Sequence, residues 1–301
     1  MRNTLIEHLV FLARENPKQV LIVGDLGFSV VEPFAEEFPD RFINAGVAEQ
    51  NMTGMAAGMA SEGHHVFTYS IANFPLFRCA EQLRNDVDYH NLPVTVIAVG
   101  GGLAYGNLGY SHHAVQDFSL IRAMPNMIIA APGDPKEVKA CLNYLVTNPG
   151  PSYLRINKAG EENVHIEPPK VVAGELVHVR RPTKDNKKLI VTTGATLSLA
   201  TGIWDQNPAV QENWGVASVS IWGEPSRENL IRVLQSYETI VTIEEHIAAG
   251  GFGSFLSESG LRVRSFCLDV AVCGAVGNQT YLRERFGLNT TVIIRFLSEQ
   301  I

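Results

Sequence analysis

The sequence predicts an α/β protein made of two consecutive parallel-sheet domains, and three observations carry that prediction. Short β-type runs alternate with longer helical stretches, the pattern of strands joined by crossover helices. A polar, proline-bearing stretch, "NKAGEENVHIEPPKVVAGELVHVRRPTKDNKK", interrupts the alternation, which then restarts. The 301 residues, 46% of them hydrophobic, suffice for two separate cores. The expected organisation is a first domain over 1–165, a linker over 166–185 and a second domain over 186–301.

The opening "MRNTLIEHLVFLAREN" places Glu7, Arg14 and Glu15 within an apolar pattern and predicts an amphipathic helix. Strands are then predicted at "VLIVGD" (20–25), "HVFTYS" (65–70), "LPVTVIAVGG" (92–101), "NMIIAAPGD" (126–134) and "PSYLRI" (151–156). A helix starts at Asp134-Pro135 and ends at Pro149-Gly150, a helix-start pair followed by a breaker. Beyond the linker, strands are predicted at "LIVTTGA" (189–195), "WGVASVSIWG" (214–223), "TIVTIEEH" (239–246) and "LRVRSFCLDV" (261–270).

A formal net charge of −7 lacks the positive field that nucleic acid or an anionic membrane would need, so neither is expected as a partner. No apolar run reaches membrane-spanning length. No cleavage site follows the first helix, and Cys79, Cys141, Cys267 and Cys273 form no CxxC pair. The expectation is a cytoplasmic protein with reduced thiols and no structural zinc.

The candidate for chemistry is Glu49, in "RFINAGVAEQNMTGMAAGMASEGHH". The segment after Thr53 has no β-branched residue and repeats small ones at Gly54, Ala57, Gly58 and Ala60, which suits a helix packed closely against another backbone. A glutamate near a helix start often does no more than complement the helix dipole. Amid apolar neighbours, however, a carboxylate is costly unless it is protonated or partnered.

"INAGVAEQNMTGMAAGMASEG" resembles the transketolase segment that supplies the glutamate facing the aminopyrimidine ring of thiamine diphosphate. "YSIANFPLFRCAEQLRNDV", "GGGLAYGNLGYSHHAVQD", "RAMPNMIIAAPGDPKEV" and "IVTIEEHIAAGGFGS" resemble, in order, later segments of the pyrimidine-binding and C-terminal domains of that family. The resemblance implies a thiamine diphosphate-binding-type pyrimidine domain followed by a transketolase C-terminal-type α/β domain.

It also implies roles. Glu49 matches the glutamate that exchanges a proton with the ring, and Phe74 the aromatic residue stacked on it. Phe77 falls where the family often has another aromatic, and Asp25 resembles the aspartate near the cofactor. His112 matches the histidine that contacts the donor sugar and the developing oxyanion. Ser29, Arg2 and Arg155 fall at phosphate-binding positions, where arginine's planar fork suits phosphate oxygens.

Ile71 stands where many transketolases have phenylalanine, which reduces the stacking wall. Two further departures bear on substrate choice: Gly100 stands where the family has a phosphate-contacting histidine, and Leu108 where it has a donor-binding aspartate. Gly100 is expected to enlarge the pocket, and a non-standard sugar or sugar phosphate is the expected substrate. The GDG motif that holds the diphosphate and its Mg2+ or Ca2+ is absent from the chain. The resemblance is therefore to the C-terminal half of a transketolase as a separate polypeptide. Its expected partner is an N-terminal-type subunit carrying that motif and holding the metal, in a heterotetramer. The alternatives are a beta subunit of a 2-oxo acid dehydrogenase, a deoxyxylulose phosphate synthase-like enzyme, or a catalytically silent regulatory paralogue. Glu244, Glu245 and His246 stand close together, and with too few convergent ligands for a metal they read as structural.

Overall fold

The β-branched and aromatic runs form two sheets in a computed structural model that describes residues 1–158, 160–184 and 187–300. The first sheet contains β1 (Gln19–Val23), β2 (Phe42–Asn44), β3 (His65–Ile71), β4 (Val94–Val99), β5 (Ile128–Ala130) and β6 (Ser152–Ile156). The second contains β7 (Val177–Arg180), β8 (Lys188–Thr192), β9 (Gly215–Ser218), β11 (Thr239–Ile247) and β12 (Val263–Leu268), in the order β12-β11-β8-β9-β7. The α/β class read from the sequence is the observed one, and pairing is parallel except at one edge of each sheet.

The predicted strand at 214–223 divides. Its first half is β9, whereas its second half, β10 (Ile221–Gly223), pairs antiparallel with β5 and completes the first sheet in the order β10-β5-β6-β4-β3-β1-β2. Between them Val219 N–H donates to Thr192 and Ala131 N–H donates to Ser220, so the chain is handed from one sheet to the other within two residues. The stretch expected as a linker also carries β7, which pairs with β9, while Val171 packs into the first sheet's core. The far end of that stretch, at 185, lies outside the described residues.

The first helix, α1 (Arg2–Glu15), buries Leu5, Ile6, Leu9, Val10 and Ala13, as its pattern requires. The helix Pro135–Thr147 begins at Asp134, whose side chain accepts from Glu137 N–H at 2.7 Å while Glu137 accepts from Gly133 N–H at 2.7 Å. This reciprocal cap satisfies two helix-end donors. One apolar cluster joins the halves: Val20, Val96 and Ile129 of the first sheet share it with Val191, Phe252 and Leu256. Cys79 and Cys141 are buried free thiols, and Cys267 and Cys273 are half-buried and free. Among the described residues no helix is long and apolar enough to cross a membrane.

Candidate active site

In the order β4-β3-β1-β2 the chain runs from β1 outward to β2 and then returns to the other side as β3. Connections diverge on the two sides of the β1–β3 pair, and the crevice at the carboxyl ends of such strands is where open α/β sheets bind ligands. Glu49 lies there. Gly46, at φ +72°, turns the chain from β2 toward the helix Glu49–Ser61, a conformation that favours glycine. As the helix's first residue, Glu49 packs between Gly24 beyond β1 and Ser70 of β3. It is 3% exposed, and Arg78 Nη1 donates to its Oε2 at 3.0 Å. The same helix buries Ala56, Ala57 and Ala60, but Gly54 and Gly58 face outward with no atom close to where a side chain would start. Among the described residues nothing packs against Gly54 and Gly58, whereas Ala57 and Ala60 of the same small-residue set pack into the core.

After β3 the chain enters the short helix Phe74–Phe77. Phe74 carries the Arg78 guanidinium over its ring at 4.4 Å and meets the edge of His112 with centroids 5.4 Å apart. Phe77 is half-exposed and lines a surface concavity with Phe74, Arg78 and Tyr110. His112 ends the glycine-rich segment after β4; Ser111 Oγ lies 2.9 Å from its Nδ1. Partial burial and the neighbouring His113 hold its pKa below the ordinary value, so the imidazole is neutral near pH 7. His113 is buried, with Nε2 3.3 Å from the Gly106 carbonyl. The structure thus brings Glu49, Phe74 and His112 together, and adds Arg78, which the apolar look of "FPLFR" conceals in the sequence.

The residues expected to meet cofactor or phosphate divide. Asp25 and Ser29 adopt left-handed backbone at φ 57° and 61°, uncommon for non-glycine residues. Asp25 accepts from Asn44 Nδ2 at 2.9 Å, and Ser29 N–H donates to Glu32 at 2.7 Å. Arg2 lies close enough to Tyr69 to act on it electrostatically, although burial dominates and raises the Tyr69 pKa. Lys158 sits 5.9 Å from the centre of the Tyr105 ring, and nothing in the sequence singled out either residue.

Arg155, expected at a phosphate-binding position, lies inside the protein. Its side chain is 4% exposed and ion-pairs through Nε with the fully buried Asp117 at 2.7 Å. Nη2 donates to the carbonyls of Ala114 and Glu245, and the guanidinium lies 4.4 Å from the Phe118 ring centre. With Nε and Nη2 engaged inside the protein, Arg155 joins the two halves. Glu244, Glu245 and His246 are likewise internal. Glu244, pushed up to about 7 by burial, accepts from Phe252 and Gly253 N–H. Glu245 pairs with Arg283 at 2.8 Å, and His246 stacks on Phe118.

Gly100 does not enlarge the pocket. A Cβ there would stand 2.1 Å from Tyr105 Cε2, so the tyrosine ring fills the space in which a side chain would begin. With φ at +85° the position is strained for any larger residue. Gly100→Ala should therefore cost about 1–3 kcal/mol through strain and overpacking. Denaturant unfolding measures this, and an unchanged midpoint would mean that neither the positive φ nor the Tyr105 ring resists a side chain there.

Residues 1–160 match the family model of the transketolase pyrimidine binding domain. The chain belongs to the transketolase family. Over the whole chain and 96% of the relative's length it is 32% identical to a putative transketolase C-terminal section of Methanocaldococcus jannaschii. It is 30% identical to one subunit of the apulose-4-phosphate transketolase of Actinobacillus succinogenes, over 86% of this chain and 82% of that one. Among solved structures, a split-gene transketolase described as an inactive beta4 tetramer superposes with a TM-score of 0.83 at 29% identity, covering 99% of this chain and 96% of that one. This transketolase-family chain is thus similar in extent to proteins that are themselves sections or subunits.

Proposed function

We propose that the chain is the pyrimidine-side subunit of a split, thiamine diphosphate-dependent transketolase. With a partner that holds the diphosphate and metal, it moves a two-carbon ketol unit from a ketose to an aldose. The observation that carries this reading is the convergence of a buried carboxylate, an aromatic face and a neutral imidazole, Glu49, Phe74 and His112, at one strand-end crevice. These residues suit an aminopyrimidine, which needs a flat apolar surface and an in-plane carboxylate partner. When bound, thiamine diphosphate supplies the carbon centre that takes up and passes on the ketol unit. Glu49 holds a proton at the ring-facing oxygen, and Phe74 fixes the ring plane. With Ser111 donating to Nδ1, His112 presents Nε2–H to a substrate oxygen.

Partner dependence is supported by the exposed apolar side chains around the crevice: Phe28, Val47, Phe77, Leu108, Tyr110 and Val276. Exposed apolar side chains of this kind are characteristic of an interface. Leu108 in place of the usual aspartate, Tyr105 packed on Gly100 and the internal Arg155 all favour a sugar other than the common pentose phosphates. Arg2, Ser29 and Lys158 are the candidates for an anionic end. The Actinobacillus succinogenes relative, named for apulose 4-phosphate, supports the same direction.

The test is reconstitution. The chain alone should show no ketol transfer, and activity should appear on mixing with a diphosphate-domain subunit, in an assembly with two copies of each chain by light scattering. Turnover by the chain alone would sink the reading. High specificity constants for xylulose 5-phosphate and ribose 5-phosphate, of the size usual for a dedicated pentose phosphate enzyme, would sink its substrate part.

A further inference from the structure

Arg78 makes two contacts that an incoming aminopyrimidine would also have to make. Its Nη1 donates to Glu49 Oε2 at 3.0 Å, and its guanidinium lies over the Phe74 ring at 4.4 Å. A guanidinium is flat, carries its donors in its own plane and presents a π-face, so in size and donor placement it resembles one side of a protonated pyrimidine. The two ends of the pair differ in freedom: the Glu49 side chain is 2% exposed and fixed at a helix start, whereas the Arg78 side chain is 50% exposed. Arg78 also borders both concavities of this face, one with Val47 and Ala48 beside Glu49, the other with Phe77 and Tyr110 beside Phe74. Swinging it toward solvent would join them.

We propose that Arg78 is a place-holder for the aminopyrimidine: in the free subunit it pairs with Glu49 and covers Phe74, and the cofactor's ring displaces it from both. This rests on the functional reading above. The pairing gives the buried Glu49 carboxylate a partner and an orientation before assembly, since a buried carboxylate without a partner is strongly destabilising. It also lowers apparent cofactor affinity, because the binding-competent arrangement is the less populated one.

The test uses Arg78→Met, which keeps an unbranched apolar stem without the charge or the donors, in the complex reconstituted with the diphosphate-domain partner. Thiamine diphosphate is titrated by calorimetry, and the free subunit is melted separately. Losing a cation–π contact and a half-exposed ion pair should tighten thiamine diphosphate binding about five- to thirtyfold. The free Arg78→Met subunit should melt at a lower temperature than wild type, and saturating cofactor should abolish that difference in the complex. Arg78→Lys, which keeps the charge but not the flat face, should fall between. Arg78→Gln serves if the methionine variant does not fold. If the wild type binds and the Arg78 variants bind equally or more weakly, Arg78 is a retained contact and the place-holder is wrong. A wild-type complex that binds no thiamine diphosphate overturns the functional reading itself, and this proposal with it.

Discussion

Replacing Arg155 by methionine is expected to destabilise the protein by about 3–5 kcal/mol, because it strands a buried carboxylate. Asp117 is fully buried and retains the Tyr153 hydroxyl at 2.7 Å and the His246 ring at 3.8 Å, neither of which replaces a guanidinium. The same change removes the donors to Ala114 and Glu245 that tie the strand-end loop after β4 to β11. The double variant Arg155→Met with Asp117→Asn should recover a large part of the loss, since it removes the charge rather than exposing it. Denaturant unfolding of the single and double variants measures both effects. A single variant that unfolds like wild type but binds phosphate more weakly would restore Arg155 to the substrate site.

Glu49→Gln is expected to leave the fold intact and to slow cofactor activation about 10²–10⁴-fold, the usual contribution of a positioned proton-transfer group. The amide preserves the shape and can still accept from Arg78, but it cannot exchange a proton. Stability should change by less than about 1 kcal/mol, because the lost ion pair involves a half-exposed arginine. Deuterium exchange at the thiazolium carbon in the reconstituted complex is the direct measurement. An unchanged exchange rate would remove Glu49 from the chemistry.

Local sequence signals predicted most of what the structure contains. Asp134 and Glu137 announce their helix through residues three apart, and β1, β3, β4 and β6 follow from apolar runs bounded by turn residues. Glu49 stands out because a carboxylate is unusual among Ala, Gly and Met. What escaped depends on partners far along the chain. Arg155 reads as an available cation until Asp117, 38 positions earlier, is found beside it. Arg78 and Glu49 meet across 29 positions. Tyr105 occupies the space beside Gly100 only because of the path the glycine-rich loop takes. The division of 214–223 is hidden for a different reason: both halves are buried, and a continuous apolar run does not show which sheet each half joins.

That division also governs the order in which the molecule can be completed during synthesis. Among the described residues the edge of β5 away from β6 is covered only by β10, so six of the seven strands of the first sheet leave the ribosome well before the one that closes it. Until residue 223 emerges, β5 presents unpaired backbone groups, a template for wrong pairing with other chains. A gene cut between the two halves would leave that edge of β5 without the strand that covers it.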